Sequence, residues 1–430
     1  MNQQKTYQKI ISEPAAVTWL DLLQGSFTNH SKRDYARAMQ AGTIPSAADR
    51  SNPLGSWRLP FLWWPLAKFS ILLILGMYGL LYMLFSFGFS VSNTLGNMTM
   101  IIPPILIPLV ILVFLWELNI PQDVSLAEMA AMFVVGGVLT FAANSLMFLV
   151  VTERSAVYAG LREEPAKLAA SLAILLYLQQ GRNRRINGFT GLMVGAAVGA
   201  AFSGFESVSY AINFSDSFEQ MLNVQLTRAL YAMGGHIAYC VPYSAAIGLK
   251  SKDGKITLMS IFSPLTLFAF ALSVGMHTMW NATNVTLIHS LLTIAGFFIL
   301  QFWFRQCLVE YIGSGASAAE PGSQRAPVGS ICLYIAEGPM KGTSWCSTGD
   351  TVYLGRDRSK CRICFPPETH GVSKLHCCIS KTSRGWVIQD LNSSFGTYLS
   401  GHRLPPQEAV PLKPGDIIYL GSKRIAIKVE

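Results

Sequence analysis

Charge is scarce in this chain. Only 13% of its residues are Asp, Glu, Lys or Arg, against 51% hydrophobic, and its mean hydropathy is +0.37. A soluble globular domain carries about twice that share of charge, so that class is excluded. The first ~55 residues hold no short apolar run, which argues against a cleavable signal peptide and makes the first apolar segment an uncleaved signal anchor. No HExxH pair occurs, so the helix that commonly carries a protease zinc is missing. No inverted repeat or pair of broken helices is evident, which weakens a transporter reading. The eight cysteines are unevenly placed: Cys240 falls in an apolar run, Cys307 just past the last one, and six crowd the last hundred residues. That is not a secreted disulfide framework. The net charge of +9 belongs to the basic flanks of membrane spans, and no nucleic-acid partner is expected.

What remains is a series of apolar runs of about 20 residues. They lie near 69–89, 98–117, 127–150, 157–178, 188–212, 229–249, 257–281 and 286–304, predicting a polytopic α-helical membrane bundle of about eight spans. Lys32, Arg33, Arg37, Arg50, Arg58 and Lys68 precede the first run. Arg182, Arg184 and Arg185 follow the fourth, Lys250, Lys252 and Lys255 the sixth, and Arg305 the eighth. The loops 90–97, 213–227 and 282–285 hold no Lys or Arg, with Arg228 at the edge of one. The positive-inside rule then places both termini in the cytoplasm. The expected location is a bacterial cytoplasmic membrane.

Polar residues stand out against this background. Glu163 and Glu164 open the fourth run, Glu206 lies in the fifth, His236 in the sixth, and His277 and Asn281 in the seventh. A carboxylate at membrane depth costs at least a few kcal/mol and points to function. In the inferred orientation Glu163 lies ~9 Å below the outer surface, at ~1.5 Å per residue. The other three segments place their polar residues in the same layer. Lys167 is within ion-pair reach of both glutamates, and Pro165 loosens the helix between them. A buried structural ion pair is the competing interpretation. Gly191, Gly195, Gly199 and Ser203 form a stripe of small residues that lets another helix approach closely and points Glu206 into the bundle. His289 reads as a packing residue. A Glu and a His can polarise a water for attack on a carbonyl, and an imidazole beside an amide can donate to a developing oxyanion. The same Glu/His set could ligate zinc, which ranks second to a metal-free site.

EExxK at 163–167, FxxxE at 202–206, His236 and HxxxN at 277–281 together resemble the PrsW family of intramembrane proteases, relatives of the CAAX prenyl and bacteriocin-processing membrane proteases. The resemblance covers roughly 130–290. It implies hydrolysis of peptide bonds in membrane-associated proteins by a glutamate-activated water, with Glu163, Glu164, Glu206, His236 and His277 as site positions.

Residues 306–330 turn to Gly, Ser, Ala and Pro, a flexible linker of about 25 residues. Beyond it, short alternating stretches bounded by Gly, Pro, Asn and Asp predict a small all-β domain over 331–430. Gly355-Arg356, Ser373-Lys374-Leu375-His376, Asp390-Leu391, Ser393 to Thr397 and Gly415-Asp416 resemble the forkhead-associated (FHA) pattern. That resemblance implies a sandwich that reads phosphothreonine, with Arg356, Ser373, Lys374 and Ser394 holding the phosphate and His376 bracing the loop. One position departs from the pattern: Phe395 stands where the family usually has Asn. Cys361, Cys364, Cys377 and Cys378 are expected as reduced thiols rather than a zinc site.

The expected organisation is therefore an N-terminal cytoplasmic segment (1–67), a membrane protease domain (68–305), a linker (306–330) and an FHA domain (331–430). Within the first segment, Trp57 reads with Trp63 and Trp64 as an interfacial aromatic belt. The expected partners are a membrane-protein substrate, a phosphothreonine-containing protein and the bilayer. The alternative is a non-catalytic scaffold that recruits phosphoproteins. Reporter fusions at positions 183, 220 and 310 should read inside, outside and inside, as the Lys/Arg bias requires. An outside signal at 310 would break both the span count and the common depth of the polar residues.

Overall fold

The computed structural model describes residues 3–42, 54–55, 57–89, 93–181, 184–213, 217–232, 234–313, 331–340, 344–347, 351–357, 360–382, 385–413, 415–422 and 424–429. They form two compact units, the described residues up to Gly313 and those from Ile331 onward. The first unit is helical. Short helices α1 (Gln3–Ser12), α2 (Trp19–Leu23) and α3 (Lys32–Ala38) precede α4 (Trp63–Ser86), α5 (Asn93–Glu117) and α6 (Leu126–Met147). Then come α7 (Ala159–Gly181), α8 (Gly188–Asn213), α9 (Phe218–Tyr231), α10 (His236–Leu249), the single turn α11 (Leu258–Ile261), α12 (Pro264–Ala282) and α13 (Thr286–Gly313).

Among the described residues α4, α5, α6, α8 and α13 are long and apolar enough to cross a membrane. The runs near 157–178, 229–249 and 257–281 do not form helices of that length and apolarity. Helix α7 carries Arg162, Glu163, Glu164 and Lys167. Helix α10 has 14 residues, about 21 Å at ~1.5 Å per residue, too short for a ~30 Å hydrocarbon layer. The run read as one span over 229–249 is broken: α9 ends at Tyr231 and α10 begins at His236. Gly234 and Gly235 lie at the break. A Cβ on Gly234 would lie 2.4 Å from Thr293 Cα and its carbonyl oxygen, so only glycine lets the chain turn against α13. His236 is consequently the first residue of a helix, not a residue inside one.

Helix α8 is the hub, with 94% of its apolar window buried. Its glycine stripe faces α10. A Cβ on Gly191, Gly195 or Gly199 would lie 2.1, 2.8 or 2.6 Å from the backbone oxygens of Ser244, Cys240 and His236. The stripe therefore fixes both the separation of the two helices and the position of His236. The N-terminal segment packs on the same bundle: Trp19 contacts Phe114, Phe297 and Phe304. Trp57 is not in an interfacial belt. It is buried, and its indole N–H donates to the Glu117 carbonyl at 2.7 Å. The Glu117 carboxylate in turn accepts the N–H groups of Phe61, Leu62 and Trp63 at 2.7, 2.7 and 2.9 Å, capping the start of α4. At the other end, α13 runs to Gly313, so 306–313 are helix rather than linker, while 314–330 lie outside the described residues.

The second unit is all-β. One sheet has the strand order β2-β1-β11-β10-β7-β8 and the other β4-β3-β5-β6-β9. The strands are β1 (Ile331–Glu337), β2 (Ser344–Ser347), β3 (Val352–Gly355), β4 (Ile363–Cys364), β5 (Leu375–Thr382) and β6 (Gly385–Asp390). They continue with β7 (Thr397–Leu399), β8 (His402–Arg403), β9 (Ala409–Pro411), β10 (Ile417–Leu420) and β11 (Ala426–Val429). Alternating residues such as Leu333, Ile335, Leu354, Ile379, Ile388, Ile418 and Ile427 form the core. Cys361, Cys364, Cys377 and Cys378 are free, whereas Cys332 is disulfide-bonded.

The α8–α10 contact yields a paired test. Gly195→Ala should destabilise the detergent-solubilised protein by about 1–3 kcal/mol, because its methyl group meets backbone that cannot give way. Gly275→Ala, with nothing within 4 Å, should not. Both sites are helical, so thermal unfolding of the pair separates packing from helix propensity.

Candidate active site

Helix α7 brings the densest charge into the bundle. Glu164 and Lys167 are wholly buried, and Glu163 is 9% exposed. Lys167 Nζ donates to Glu164 Oε1 at 2.8 Å and to Glu163 Oε2 at 3.3 Å. It also lies 4.0 Å from the centre of the Phe202 ring, a cation–π contact that gives the aromatic of FxxxE a physical role. Pro165 deprives the Leu161 carbonyl of its helical donor.

Two imidazoles complete the cluster. An ammonium can only donate, so His236 Nδ1, 3.0 Å from Lys167 Nζ, accepts. The proton then resides on His236 Nε2, which donates to Glu206 Oε2 at 2.8 Å. His277 is held between the two glutamates. Its Nδ1–H donates to Glu164 Oε1 at 2.8 Å, and its Nε2 lies 3.5 Å from Glu163 Oε2. The two rings are 5.0 Å apart, and Tyr239 stacks on His277 at 5.3 Å. The five predicted residues Glu163, Glu164, Glu206, His236 and His277 thus form one continuous polar network.

The two glutamates differ in environment. Glu164 is saturated: besides Lys167 and His277 it accepts the Tyr243 hydroxyl at 3.2 Å. Glu163 is more loosely held and partly accessible. The amide of Asn281, half-buried one turn beyond His277, has no partner among the described residues and is a neutral donor in the HxxxN pair. His289 donates its Nε2–H to the Trp280 and Thr283 carbonyls and stacks on Trp280, as a packing residue should.

Sequence reasoning gave no role to Tyr243 or Arg228. Tyr243 lies seven residues beyond His236 on the same α10 face, and a polar tip in an otherwise apolar helix was the available signal. Arg228 on α9 bonds Glu206 and Ser207. It had been placed at a loop edge because α9 was not foreseen.

One carboxylate and two imidazoles also form a potential ligand set. A ligand atom from each of Glu163, His236 and His277 lies within 4.8 Å of the other two. Each imidazole is braced from behind by a further carboxylate, Glu206 for His236 and Glu164 for His277.

In the second unit, the loops join the residues named from the sequence. Ser394 donates its N–H to Ser373 Oγ at 3.0 Å, and the two hydroxyls are 3.4 Å apart. Arg356 is turned onto the loop, its Nε donating to the Val372 carbonyl at 2.5 Å and its Nη1 to that of Pro367. His376 accepts the Ser373 N–H at Nδ1 (3.0 Å) and bonds the Gly396 carbonyl through Nε2 (3.3 Å), bracing the loop as expected. Burial holds its imidazole below the usual histidine value and so in the neutral form this pairing requires. Asp390 ties the neighbouring turn. Burial alone raises its pKa, but hydrogen bonds from Ser393 (2.6 Å) and Thr397 (2.5 Å) outweigh that and hold it below the usual carboxylate range. Gly396 has φ +81°, and a Cβ there would lie 2.6 Å from Arg403 Nε. Phe395, just before it, is 61% exposed.

Comparison with known proteins agrees with both units. Residues 104–305 match the family described as PrsW family intramembrane metalloprotease, and residues 352–421 match the FHA domain. The chain is 38% identical over 93 residues to the FHA domain-containing protein At4g14490 of Arabidopsis thaliana, a match spanning 21% of this chain and 24% of that protein. It is 44% identical over 55 residues to the E3 ubiquitin-protein ligase DMA2 of Saccharomyces cerevisiae, spanning 12% of this chain and 10% of that one. Among solved structures, an FHA domain of an Arabidopsis thaliana hypothetical protein is 37% identical, covering 23% of this chain and 83% of that one, with a TM-score of 0.22. Residues 104–305 thus match the PrsW family of intramembrane proteases, and the chain carries an FHA domain at residues 352–421.

Proposed function

We propose that the helical unit hydrolyses peptide bonds of membrane-associated proteins with a water activated by Glu163, and that the FHA domain recruits phosphothreonine-bearing partners on the cytoplasmic side. The observation that carries the reading is the convergence of Glu163, His236 and His277 within 4.8 Å, each imidazole oriented by its own carboxylate. A hydrolytic water needs a base that is reachable and not already saturated. Glu163 meets that description and Glu164 does not. Glu164 and Lys167 instead orient His277 and balance charge. Asn281 supplies a neutral donor to the oxyanion that forms on the scissile carbonyl.

The same three residues favour a second reading. Two nitrogens and a carboxylate oxygen are the donor set of a catalytic zinc site with an open position, in keeping with the family's description as a metalloprotease. His236 Nδ1, His277 Nε2 and a Glu163 oxygen would hold the ion, in competition with the Lys167 ammonium that already touches two of these residues. When bound, zinc would supply Lewis-acid polarisation of the substrate carbonyl. Glu206 and Glu164 serve in either case to fix which imidazole nitrogen faces the reacting centre.

The Lys/Arg bias favours both termini in the cytoplasm and the polar cluster in the outer half of the membrane. The FHA domain then acts by tethering a phosphorylated partner or substrate tail, raising its effective concentration at the bundle.

Glu163→Gln and His236→Ala should each reduce cleavage at least ~10²-fold while leaving a folded protein. Glu164→Gln should instead lose stability, because Lys167 is left short of a buried partner. Fragment profiles of membrane proteins from cells carrying the intact chain or Glu163→Gln decide the matter. Matching profiles, with both proteins expressed, would favour the non-catalytic scaffold.

Arg356→Ala should weaken binding of a phosphothreonine peptide by ~2 kcal/mol, the scale of a hydrogen bond to a charged group. Isothermal titration of the full chain with matched phosphorylated and unphosphorylated peptides reads this directly. Equal affinity for the two peptides would mean that Phe395 marks a domain without phosphate dependence.

A further inference from the structure

Arg228 is the charged residue of the helical network that the proposed chemistry leaves unused. It lies in the last turn of α9, and three residues of α8 hold it. Its Nε donates to Ser207 Oγ at 2.6 Å, its Nη2 donates to Glu206 Oε2, and its guanidinium lies 4.4 Å from the Tyr210 ring centre. The same Glu206 oxygen accepts His236 Nε2–H at 2.8 Å. One carboxylate oxygen is therefore shared between a guanidinium and an imidazole.

Helix α9 is itself fixed. Gln225, one turn before Arg228, donates its amide to the Thr99 carbonyl at 3.0 Å. That carbonyl is the one Pro103 leaves without a helical donor. The Gln225 side-chain oxygen accepts the Tyr78 hydroxyl. Arg228 thus comes from a helix anchored to α4 and α5, and its fork geometry offers Glu206 little rotational freedom. His236 starts α10 directly after the glycine break, so its ring depends on side-chain partners more than one in mid-helix would.

We propose that Arg228 is a positioning residue for the hydrolysis. It holds the Glu206 carboxylate where Oε2 engages His236 Nε2–H, which keeps His236 Nδ1 turned toward Lys167 and Glu163. The inference rests on the hydrolase reading above. Its side chain is 21% accessible and Glu206 18%, so the pair is not a sealed structural bridge whose loss would unfold the bundle. The consequence falls on imidazole orientation, and loss of such an outer partner typically costs about 10–100-fold in activity.

The test uses the purified full chain in proteoliposomes with a membrane substrate cleaved by the wild type. Arg228→Met should lower kcat about 10–100-fold, with KM and the thermal transition little changed. Arg228→Lys should recover part of the loss. The double variant Arg228→Met/Glu206→Gln should be no slower than the slower single variant, because both act through one path to His236. If Arg228→Met fails to accumulate, Arg228→Gln, which keeps two donors without the charge, gives the same kcat readout. Wild-type kcat in the neutral variant, multiplying losses in the double variant, or a rate that falls only with the folded fraction overturns the inference while leaving the hydrolase reading intact. Equal rates for wild type and Glu163→Gln overturn that reading, and the inference falls with it.

Discussion

The helical unit is organised around a buried ammonium. Lys167 is fully enclosed, and an ion of that kind costs several kcal/mol unless its surroundings compensate. Glu164, Glu163, His236 and the face of Phe202 surround its Nζ. These come from three helices, so satisfying one charge specifies how α7, α8 and α10 meet. His277 joins from α12 through Glu164 and Glu163. A requirement of solvation thereby becomes a device for assembling reactive groups from four segments.

That assembly depends on how closely backbone can approach backbone. The glycines of α8 put the carbonyl of His236 against Gly199, and the Gly234-Gly235 break lets α10 begin at that point. Close packing thus does for the backbone what Lys167 does for the side chains. The protonation pattern follows from the same contacts. A cation at Nδ1 and a carboxylate at Nε2 leave His236 one tautomer, while His277 turns Nδ1 to Glu164 and Nε2 toward Glu163. Two histidines of identical composition consequently present different nitrogens to the site.

The FHA domain follows a parallel logic with different materials. Its core is apolar, and its polar atoms of interest lie in loops cross-tied by His376 and Asp390. These ties need a neutral imidazole and an ionised carboxylate, the forms that burial of one and hydrogen bonding of the other favour. Phe395 breaks the polar character of this rim. It exposes an aromatic face where an amide would serve a peptide backbone.

Apolar runs, loop charge and four short motifs were enough to read a membrane bundle, its candidate site residues and the β-sandwich that follows, because each rests on local composition or fixed spacing. Glu163, Glu164 and Lys167 could be grouped from helical periodicity alone. The break at Gly234-Gly235 was not legible, since it arises from contact with Thr293, far along the chain. Without it most of α9 was read as the loop 213–227, its last residues as the start of an apolar run, and Arg228 as the edge between them. Trp57 looked interfacial for a similar reason: its partner, the Glu117 carbonyl, lies 60 residues away. The sequence by itself determined which residues must avoid lipid, because burial cost is a property of the side chain. Tertiary structure alone decided which of them touch, which glutamate is the less tightly held, and which nitrogen each histidine presents, because hydrogen-bond direction depends on partners that only folding brings within reach.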